Sequence, residues 1–230
     1  MIQRRTFLLA GFNAALLTHM SCGSNRPLAS VSGFADDFET LSTDLWTTGE
    51  PHTLARTEML PTNVTVVDGK LHLNLPGGDL TGAELRSVAA LPAGTCRARI
   101  KAADSPDSVT GFFLYAPPDF AHEVDIELYN RTAGHARLTT YAGGELTKTV
   151  EVDLPFDPVA DFHDYAIATF PRGVEFYADG QLLGSWAAGV PIDPMNFYLN
   201  AWYPTWLGGV PAREATAVVV DSASFTPHQA

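Results

Sequence analysis

The stretch Glu123-Val124-Asp125-Ile126-Glu127-Leu128 alternates acidic and branched apolar residues without a break. Alternation with a period of two is typical of a β-strand that buries one of its faces. The apolar side chains of such a strand point into a core, and the three carboxylates stand side by side on the opposite face. The stretch therefore predicts a half-buried strand that carries three neighbouring acids.

Three acids with no basic residue between them repel one another, whereas sheet surfaces usually mix charges of both signs. A solvent-facing strand is the simpler explanation, since exposed strands often carry acids. Two carboxyl groups with different pKa values are also what the hydrolysis of a glycosidic bond uses. Aromatic residues, which stack on sugar rings or pack in a core, flank the stretch. They are Phe112, Phe113, Tyr115, Phe120 and Tyr129.

The composition of the chain fits one all-β domain. Its 230 residues include 19 Gly and 16 Pro, and only 17% of them are charged. Short apolar runs separated by Gly, Pro, Asp and Asn recur, and helical periodicity is hard to find, which is typical of a sandwich or jelly roll. We therefore expect an all-β jelly-roll sandwich of two antiparallel sheets, concanavalin A-like, over residues 33–230.

Turn residues divide this domain into hairpins. Asp68-Gly69 separates the runs 64–67 and 71–75, and Gly143-Gly144 separates 138–141 from 146–152. Further runs that predict strands are 83–88, 96–100, 110–115, 123–129, 163–170, 174–177, 181–186, 197–202 and 217–225. A hairpin of 110–115 with 123–129 would bring the aromatics beside the acids. Residues 203–214 are rich in Gly and Pro and predict a long loop.

Residues 1–32 predict an export leader and a spacer. Arg4-Arg5 precede an apolar run of about eleven residues, which is too short to span a bilayer, so no transmembrane span is expected. The arginine pair is typical of a twin-arginine signal, and a general secretory signal is the alternative. Cys22 follows the run and could carry a lipid. The protein is thus predicted to be exported, and either secreted or anchored at Cys22.

Charge and cysteine content exclude some classes of function. The formal net charge is −12, and no basic patch follows the leader, so nucleic acid is not an expected partner. A neutral polysaccharide needs no opposite charge and remains compatible. The two cysteines are Cys22 and Cys96, and because Cys22 lies in the leader region we expect no stabilising disulfide. Cys96 is predicted to be a small buried residue.

Five segments, in the same order, resemble family 16 of the glycoside hydrolases, in particular the bacterial β-glucanases called lichenases. The stretch His122-Glu123-Val124-Asp125-Ile126-Glu127 is similar to the active-site strand E-x-D-x-E of that family. The other similar segments are residues 82–87, 111–115, 162–165 with 176–180, and 199–202 with 206–208. The resemblance covers nearly all of residues 33–226.

The resemblance implies a jelly roll with a concave cleft and a retaining, endo-acting hydrolysis of a β-glucan-type polysaccharide. Glu123 would be the nucleophile, Glu127 the general acid/base, and Asp125 a hydrogen-bond partner of the nucleophile. No cofactor would be required for catalysis. The residues implied to bind sugar are Glu84, Arg86, Phe113, Tyr115, Asn200, Trp202 and Trp206. For Glu84 and Arg86 the alternative is an ion pair, and for Trp206 it is a plug in the cleft wall.

The distance between the two glutamates gives an independent expectation. Residues i and i+4 of a strand lie about 13 Å apart along the backbone. The carboxyl groups of a retaining pair lie about 5–5.5 Å apart. Glu123 and Glu127 can therefore cooperate only if the strand lies on a concave face, where their side chains converge over Asp125.

Some features leave alternatives open. Gly69 and Asp221 match two ligand positions of a structural calcium in the family, although a strand-end acid is the simpler explanation of Asp221. The Cys-x-Trp segment of lichenases is absent from residues 54–61, where Met59 falls near the place of the tryptophan. The polysaccharide is thus not specified. A transglycosylase with the same site, or a non-catalytic carbohydrate-binding module of the same fold, remains an alternative. We expect a monomer.

Overall fold

The computed structural model describes residues 32–228, so the predictions made for the leader and Cys22 lie outside the described residues. The first of two sheets contains β1 (Phe34–Asp36), β5 (Val64–Val67), β6 (Lys70–Leu75), β8 (Gly94–Lys101), β13 (His163–Phe170), β14 (Gly173–Ala178), β15 (Gln181–Trp186) and β17 (Thr216–Pro227). The second contains β2 (Trp46–Thr47), β3 (His52–Leu54), β4 (Thr57–Met59), β7 (Thr81–Ser87), β9 (Val109–Ala116), β10 (His122–Tyr129), β11 (His135–Ala142), β12 (Glu145–Asp153) and β16 (Asn196–Trp202). A 3-10 helix spans Pro61–Asn63.

The sheet orders confirm the predicted jelly-roll sandwich. The first sheet runs β15-β14-β13-β8-β17-β6-β5, with β1 paired to β17. The second runs β12-β11-β10-β9-β16-β7-β4-β3, with β2 paired to β7. All pairings between these strands are antiparallel except that of β4 with β7, which is parallel and so departs from the purely antiparallel expectation. No helix in residues 32–228 is long and apolar enough to cross a membrane.

The alternation of β10 decides which way its side chains point. Val124, Ile126 and Leu128 are fully buried between the sheets. The core around them is rich in aromatic residues, and the rings of Phe112 and Phe197 meet edge to face at 5.2 Å. Burying one large apolar side chain stabilises a fold by about 1.5–3 kcal/mol. The acids of β10 must therefore lie on the outer face of the second sheet.

The predicted hairpins are present, and short strands near the start of the domain were missed. β5 and β6 are joined by Asp68 and Gly69, both with positive φ, as a tight hairpin turn requires. β11 and β12 are joined in the same way by Gly143-Gly144. The strands β1 to β4 have only two or three residues each, which is too short for alternation to be visible. Cys96 is buried and free, as expected.

Candidate active site

The three acids of β10 lie on the floor of a large cleft. β10 pairs with β9 on one side and with β11 on the other, well inside the second sheet. Glu123, Asp125 and Glu127 all line a cleft of about 900 Å³, to which seven strands contribute side chains. The face that carries the acids is thus hollow, as the cooperation of Glu123 with Glu127 requires.

The β9–β10 hairpin places aromatic residues beside the acids. Tyr115 lies opposite Glu123, and Phe113 lies opposite Asp125. The third acid, Glu127, lies opposite Gly111. Because Gly111 has no side chain, the Asn200 carboxamide can occupy the space above it and lie against its backbone.

Burial raises the pKa values of all three acids. Burial, followed by the negative charge of Asp119, raises the pKa of Glu123 to about 7. The pKa of Glu127 is raised to about 8, because the effect of burial outweighs the lowering effect of the positive charge of Arg137. Both glutamates therefore keep a proton to a higher pH than an ordinary glutamate does, and the acid of the reaction needs such a raised pKa.

Asp125 is the most deeply buried of the three acids. Burial, followed by the charges of Glu127 and Glu123, raises its pKa well above the usual range. Its Oδ1 atom has no hydrogen-bond partner among the described residues. A protonated Asp125 between two glutamates has a proton to donate to one of them, and this suits the predicted partner of the nucleophile.

On one side of β10, strands β9, β16 and β7 form the first flank of the cleft. The Asn200 side chain accepts a hydrogen bond from the Gly111 amide at 3.1 Å and donates one to Glu84 at 3.5 Å. Glu84 also lies 3.6 Å from His52. Burial raises the pKa of Glu84. The predicted residues Glu84 and Asn200 thus form one polar group that lines the cleft.

Arg86 is the predicted sugar-binding residue that the structure does not bring to the cleft. It lies on the same face of β7 as Glu84, opposite Tyr198 of β16, but beyond the lining of the cleft. Within the described residues it makes no ion pair with Glu84 either.

Aromatic rings extend along this flank. Phe113 stacks on Tyr198 with 4.8 Å between the ring centroids. The Tyr115 hydroxyl donates a hydrogen bond to Asp119 at 2.6 Å. Phe113 and Tyr115 therefore share one face, as predicted, and Tyr198 extends their apolar surface.

The two predicted tryptophans differ in exposure. Trp202 is 8% exposed and packs with Met59, Val109 and Tyr129 in a small apolar cluster. Trp206 is 42% exposed and meets Trp202 edge to face at 5.3 Å. Trp206 thus offers its ring to the cleft, while Trp202 mainly supports it.

The opposite flank, built from β11 and β12, was missed by the sequence reasoning. It contributes Arg137, Thr139, Tyr141, Leu146, Thr149 and Glu151. The ring of Phe120, in the β9–β10 connection, lies 5.1 Å from the ring of Tyr141. The Gly143-Gly144 hairpin was a usable signal, because a strand that follows β10 closely usually pairs with it.

The predicted calcium residues lie on the other sheet. Asp221 is the extra residue of a β-bulge in β17, and its carboxylate pairs with the ammonium of Lys70 and, at 3.8 Å, with Arg99. No three acidic, histidine or cysteine side chains of residues 32–228 gather as a metal site. Two cations at the one carboxylate do not fit a calcium ion there, and Gly69 lies in the turn just before Lys70.

Known proteins similar in sequence to this chain include β-glucanases. An endo-1,3-1,4-β-glycanase (ExoK) of Rhizobium meliloti strain 1021 is 25% identical over 210 residues, which are 84% of this chain and 78% of that protein. The β-glucanase of Bacillus subtilis strain 168 is 31% identical over 132 residues, which are 54% of each protein. The chain spans only 54% of a β-glucanase of Acetivibrio thermocellus, to which it is 27% identical.

Solved structures share the fold. The β-glucanase of Bacillus licheniformis superposes with a TM-score of 0.79 at 23% identity, over 87% of this chain and all of that one. A Crh5 transglycosylase gives a TM-score of 0.70 at 20% identity, over 86% of this chain and 85% of that one. The model of the family "Glycosyl hydrolases family 16" matches residues 53–221, which is more than half of the sequence. The chain therefore belongs to family 16 of the glycosyl hydrolases.

Proposed function

We propose that this protein is a retaining, endo-acting hydrolase that cleaves a β-glucan-type polysaccharide by double displacement. The observation that carries the proposal is the row of Glu123, Asp125 and Glu127 on the floor of the cleft. An open cleft that crosses seven strands suits a long chain bound in its middle, and the names of the relatives point to β-glucan.

In the first step, Glu127 donates its proton to the glycosidic oxygen and the Glu123 carboxylate attacks the anomeric carbon. The bond between that carbon and the leaving oxygen breaks, and a glycosyl ester of Glu123 forms. At neutral pH, Glu127, with a pKa of about 8, still carries the proton that this step consumes. Asp125 steadies the Glu123 carboxylate during the attack.

In the second step, Glu127 acts as the base. The ester has removed the negative charge of Glu123, so the pKa of Glu127 falls and its carboxylate accepts a proton from water. That water attacks the anomeric carbon, the ester bond breaks and Glu123 is released as a carboxylate. Two inversions leave the configuration of the anomeric carbon unchanged.

The flanks of the cleft hold the sugar chain. The exposed ring of Trp206 and the stacked rings of Phe113 and Tyr198 offer apolar faces to pyranose rings. Glu84 and Asn200 offer a carboxylate and an amide to sugar hydroxyls. None of these interactions involves a cofactor, and we propose that catalysis requires none.

We further propose that the protein is exported and acts as a monomer. The arginine pair and apolar run at its start support export, since a polysaccharide too large to enter a cell must be cleaved outside it. An anchored protein would carry a lipid on Cys22, and a secreted protein would not. Mass spectrometry of the mature protein would distinguish them.

The test of the activity is the release of reducing ends from barley glucan, lichenan, laminarin and xyloglucan. We expect activity on at least one of them, and we expect Glu123→Gln to abolish it. Unchanged activity in Glu123→Gln would reject the assigned nucleophile. Binding of a glucan without any release would instead indicate a carbohydrate-binding module.

The role of Glu127 has a separate test. Glu127→Ala should still cleave an aryl glycoside whose leaving group needs no proton, and azide should accelerate that reaction. Absence of azide rescue would reject the acid/base assignment. Products longer than an oligosaccharide substrate would show that sugar, rather than water, is the acceptor, and the protein would then be a transglycosylase.

A further inference from the structure

Arg137 is the basic side chain nearest to the acids in the register of the sheet. It lies on β11 directly opposite Glu127 on β10, and both side chains line the cleft. Side chains directly opposite on antiparallel strands have their Cβ atoms about 4.5–5.5 Å apart. The assigned acid of the reaction thus faces a permanent positive charge that the sequence analysis did not identify.

Neighbouring groups hold Arg137 in this place. Its Nε donates a hydrogen bond to Glu151 of β12 at 2.7 Å. Its guanidinium lies 4.8 Å from the ring of Trp206 and 6.0 Å from the ring of Tyr129. The Tyr129 hydroxyl donates to the same oxygen of Glu151 at 2.9 Å. A side chain fixed by a carboxylate and two rings presents its charge in one direction.

Apart from Arg137, the charged groups around Glu127 are acids. On its own strand it neighbours Glu123 and Asp125, and β9 and β16 face it with the uncharged Gly111 and Asn200. The titratable groups around Glu127 are Glu123, Asp125, Tyr129, Arg137, Tyr141 and Glu151. His135 contacts Glu151 at 3.3 Å and Asp153 at 2.8 Å, so it acts on Glu127 only through Glu151.

We propose that Arg137 and Glu151 act as a pair of positioning residues that set the pH above which Glu127 loses its proton. Arg137 favours the carboxylate, and Glu151 limits this effect by neutralising part of the guanidinium charge. The proposal rests on the proposed function, in which Glu127 is the acid. The direction agrees with the pKa of Glu127, which Arg137 lowers and Glu151 raises.

Variants of the two residues should move the pH profile in opposite directions. Activity requires protonated Glu127, so kcat/KM falls as the pH rises through the pKa of Glu127. Arg137→Met removes the positive charge and keeps a long side chain against Trp206. We expect it to shift this alkaline limb upward by roughly half to one pH unit. Glu151→Gln frees the guanidinium, and we expect a downward shift of similar size.

Conservative and combined variants provide the controls. Arg137→Lys keeps the charge and should restore the limb to within about 0.3 pH unit of the native protein. The alkaline limb of the double variant Arg137→Met/Glu151→Gln should lie between those of the two single variants. Damage to the fold would change the amplitude of the profile, but it would not move the limb in opposite directions. If Arg137→Met does not fold, Glu151→Gln and Arg137→Lys still test the pair.

Shifts in the same direction, or no shift in either single variant, would overturn the proposal. This failure differs from failure of the proposed function, which is tested separately with Arg137 and Glu151 left native. Glu127→Ala should lose the alkaline limb on an aryl glycoside that needs no protonation. If that variant keeps the limb, Glu127 is not the acid, whatever the variants of Arg137 do.

Discussion

At the scale of single residues, the buried acids of the cleft lower the stability of the protein where they are ionised. The pKa of Glu123 is about 7 in the folded protein, against an ordinary value of 4.5. Between these values the folded protein keeps a proton that the unfolded chain releases. The contribution of this group to stability is therefore highest below pH 4.5, and it is lost as the pH rises through about 7.

We expect Glu123→Gln to raise the melting temperature at pH 8 by a few degrees, roughly 3–6 °C, and to change it little at pH 4. The glutamine stays uncharged at both values, so only the ionised native protein differs from it. Thermal unfolding at the two pH values measures this effect. The exposed Glu145→Gln is the matched control and should change neither temperature. Equal melting temperatures at pH 8 would contradict the raised pKa.

Gly111 is the residue whose lack of a side chain leaves room for Asn200 in the cleft. A Cβ atom at this position would collide with the Oδ1 atom of Asn200, which accepts the Gly111 amide. We expect Gly111→Ala to lower kcat/KM roughly ten- to hundredfold, because Asn200 must leave its place and the methyl group lies beside Glu127. The strain should also destabilise the fold by about 1–3 kcal/mol.

The double variant Gly111→Ala/Asn200→Ala separates these two effects. Removing the Asn200 side chain relieves the collision, so most of the lost melting temperature should return. Activity should stay low, because Asn200 no longer lines the cleft. A melting temperature as low as that of Gly111→Ala would place the strain elsewhere.

At the scale of secondary structure elements, alternation and turn residues predicted most strands from residue 64 onward. The β9–β10 hairpin followed from the acidic run and its aromatic neighbours. The strands β1 to β4 could not be predicted, because two or three residues do not show a period. Apart from the β3–β4 pair, their partners lie far along the chain: β2 and β4 pair with β7, and β1 pairs with β17. The parallel pair of β4 with β7 leaves no local pattern at all.

The predicted loop 203–214 is fixed to the sandwich. The Asp107 carboxylate accepts a hydrogen bond from the Val210 amide at 2.8 Å, and Arg56 donates to the carbonyls of Leu207 and Gly208. The loop carries Trp206 to the cleft, where its ring meets Arg137. These contacts give the loop a defined position beside the site.

We expect Asp107→Ala to raise KM several-fold and to change kcat less than about twofold. A loosened loop no longer holds the Trp206 ring against the sugar. The bound substrate and the transition state lose this contact equally, so KM rises while kcat stays nearly the same. Steady-state kinetics on the preferred glucan measure both constants. The exposed Asp104→Ala is the control and should match the native protein. A fall in kcat at constant KM would show that the loop acts on the chemical step.

At the scale of the whole molecule, one of the two flanks of the cleft depends on contacts between strands that cannot be recognised from a sequence pattern. The first flank was predicted because its strands carry family-like motifs. The second flank was missed because Arg137 and Glu151 become neighbours of Glu127 only through the register of β10, β11 and β12. Arg86 lies beyond the cleft although Glu84, two residues earlier on β7, lines it. How far the cleft extends along β7 depends on the neighbouring strands, and the local motif around Arg86 does not specify it.

The stability of the sandwich should not depend on calcium. Asp221, the predicted calcium ligand, already pairs with Lys70 and Arg99, and a metal ion would have to displace both cations. We therefore expect the melting temperature to change by less than about 1 °C between excess EDTA and millimolar calcium. Lys70→Met should cost only about 0–1 kcal/mol, since the pair is half-exposed.

A rise in melting temperature with calcium would contradict this expectation. A ligand that binds only the folded protein raises its stability with concentration, so a bound calcium ion would raise the melting temperature of the native protein by several degrees. Asp221→Asn would then abolish the rise if the ion sits at Asp221, and would leave it intact if the ion binds elsewhere. A calcium effect that appears only in Lys70→Met would instead support the role of the Lys70 ammonium as the resident cation of this carboxylate.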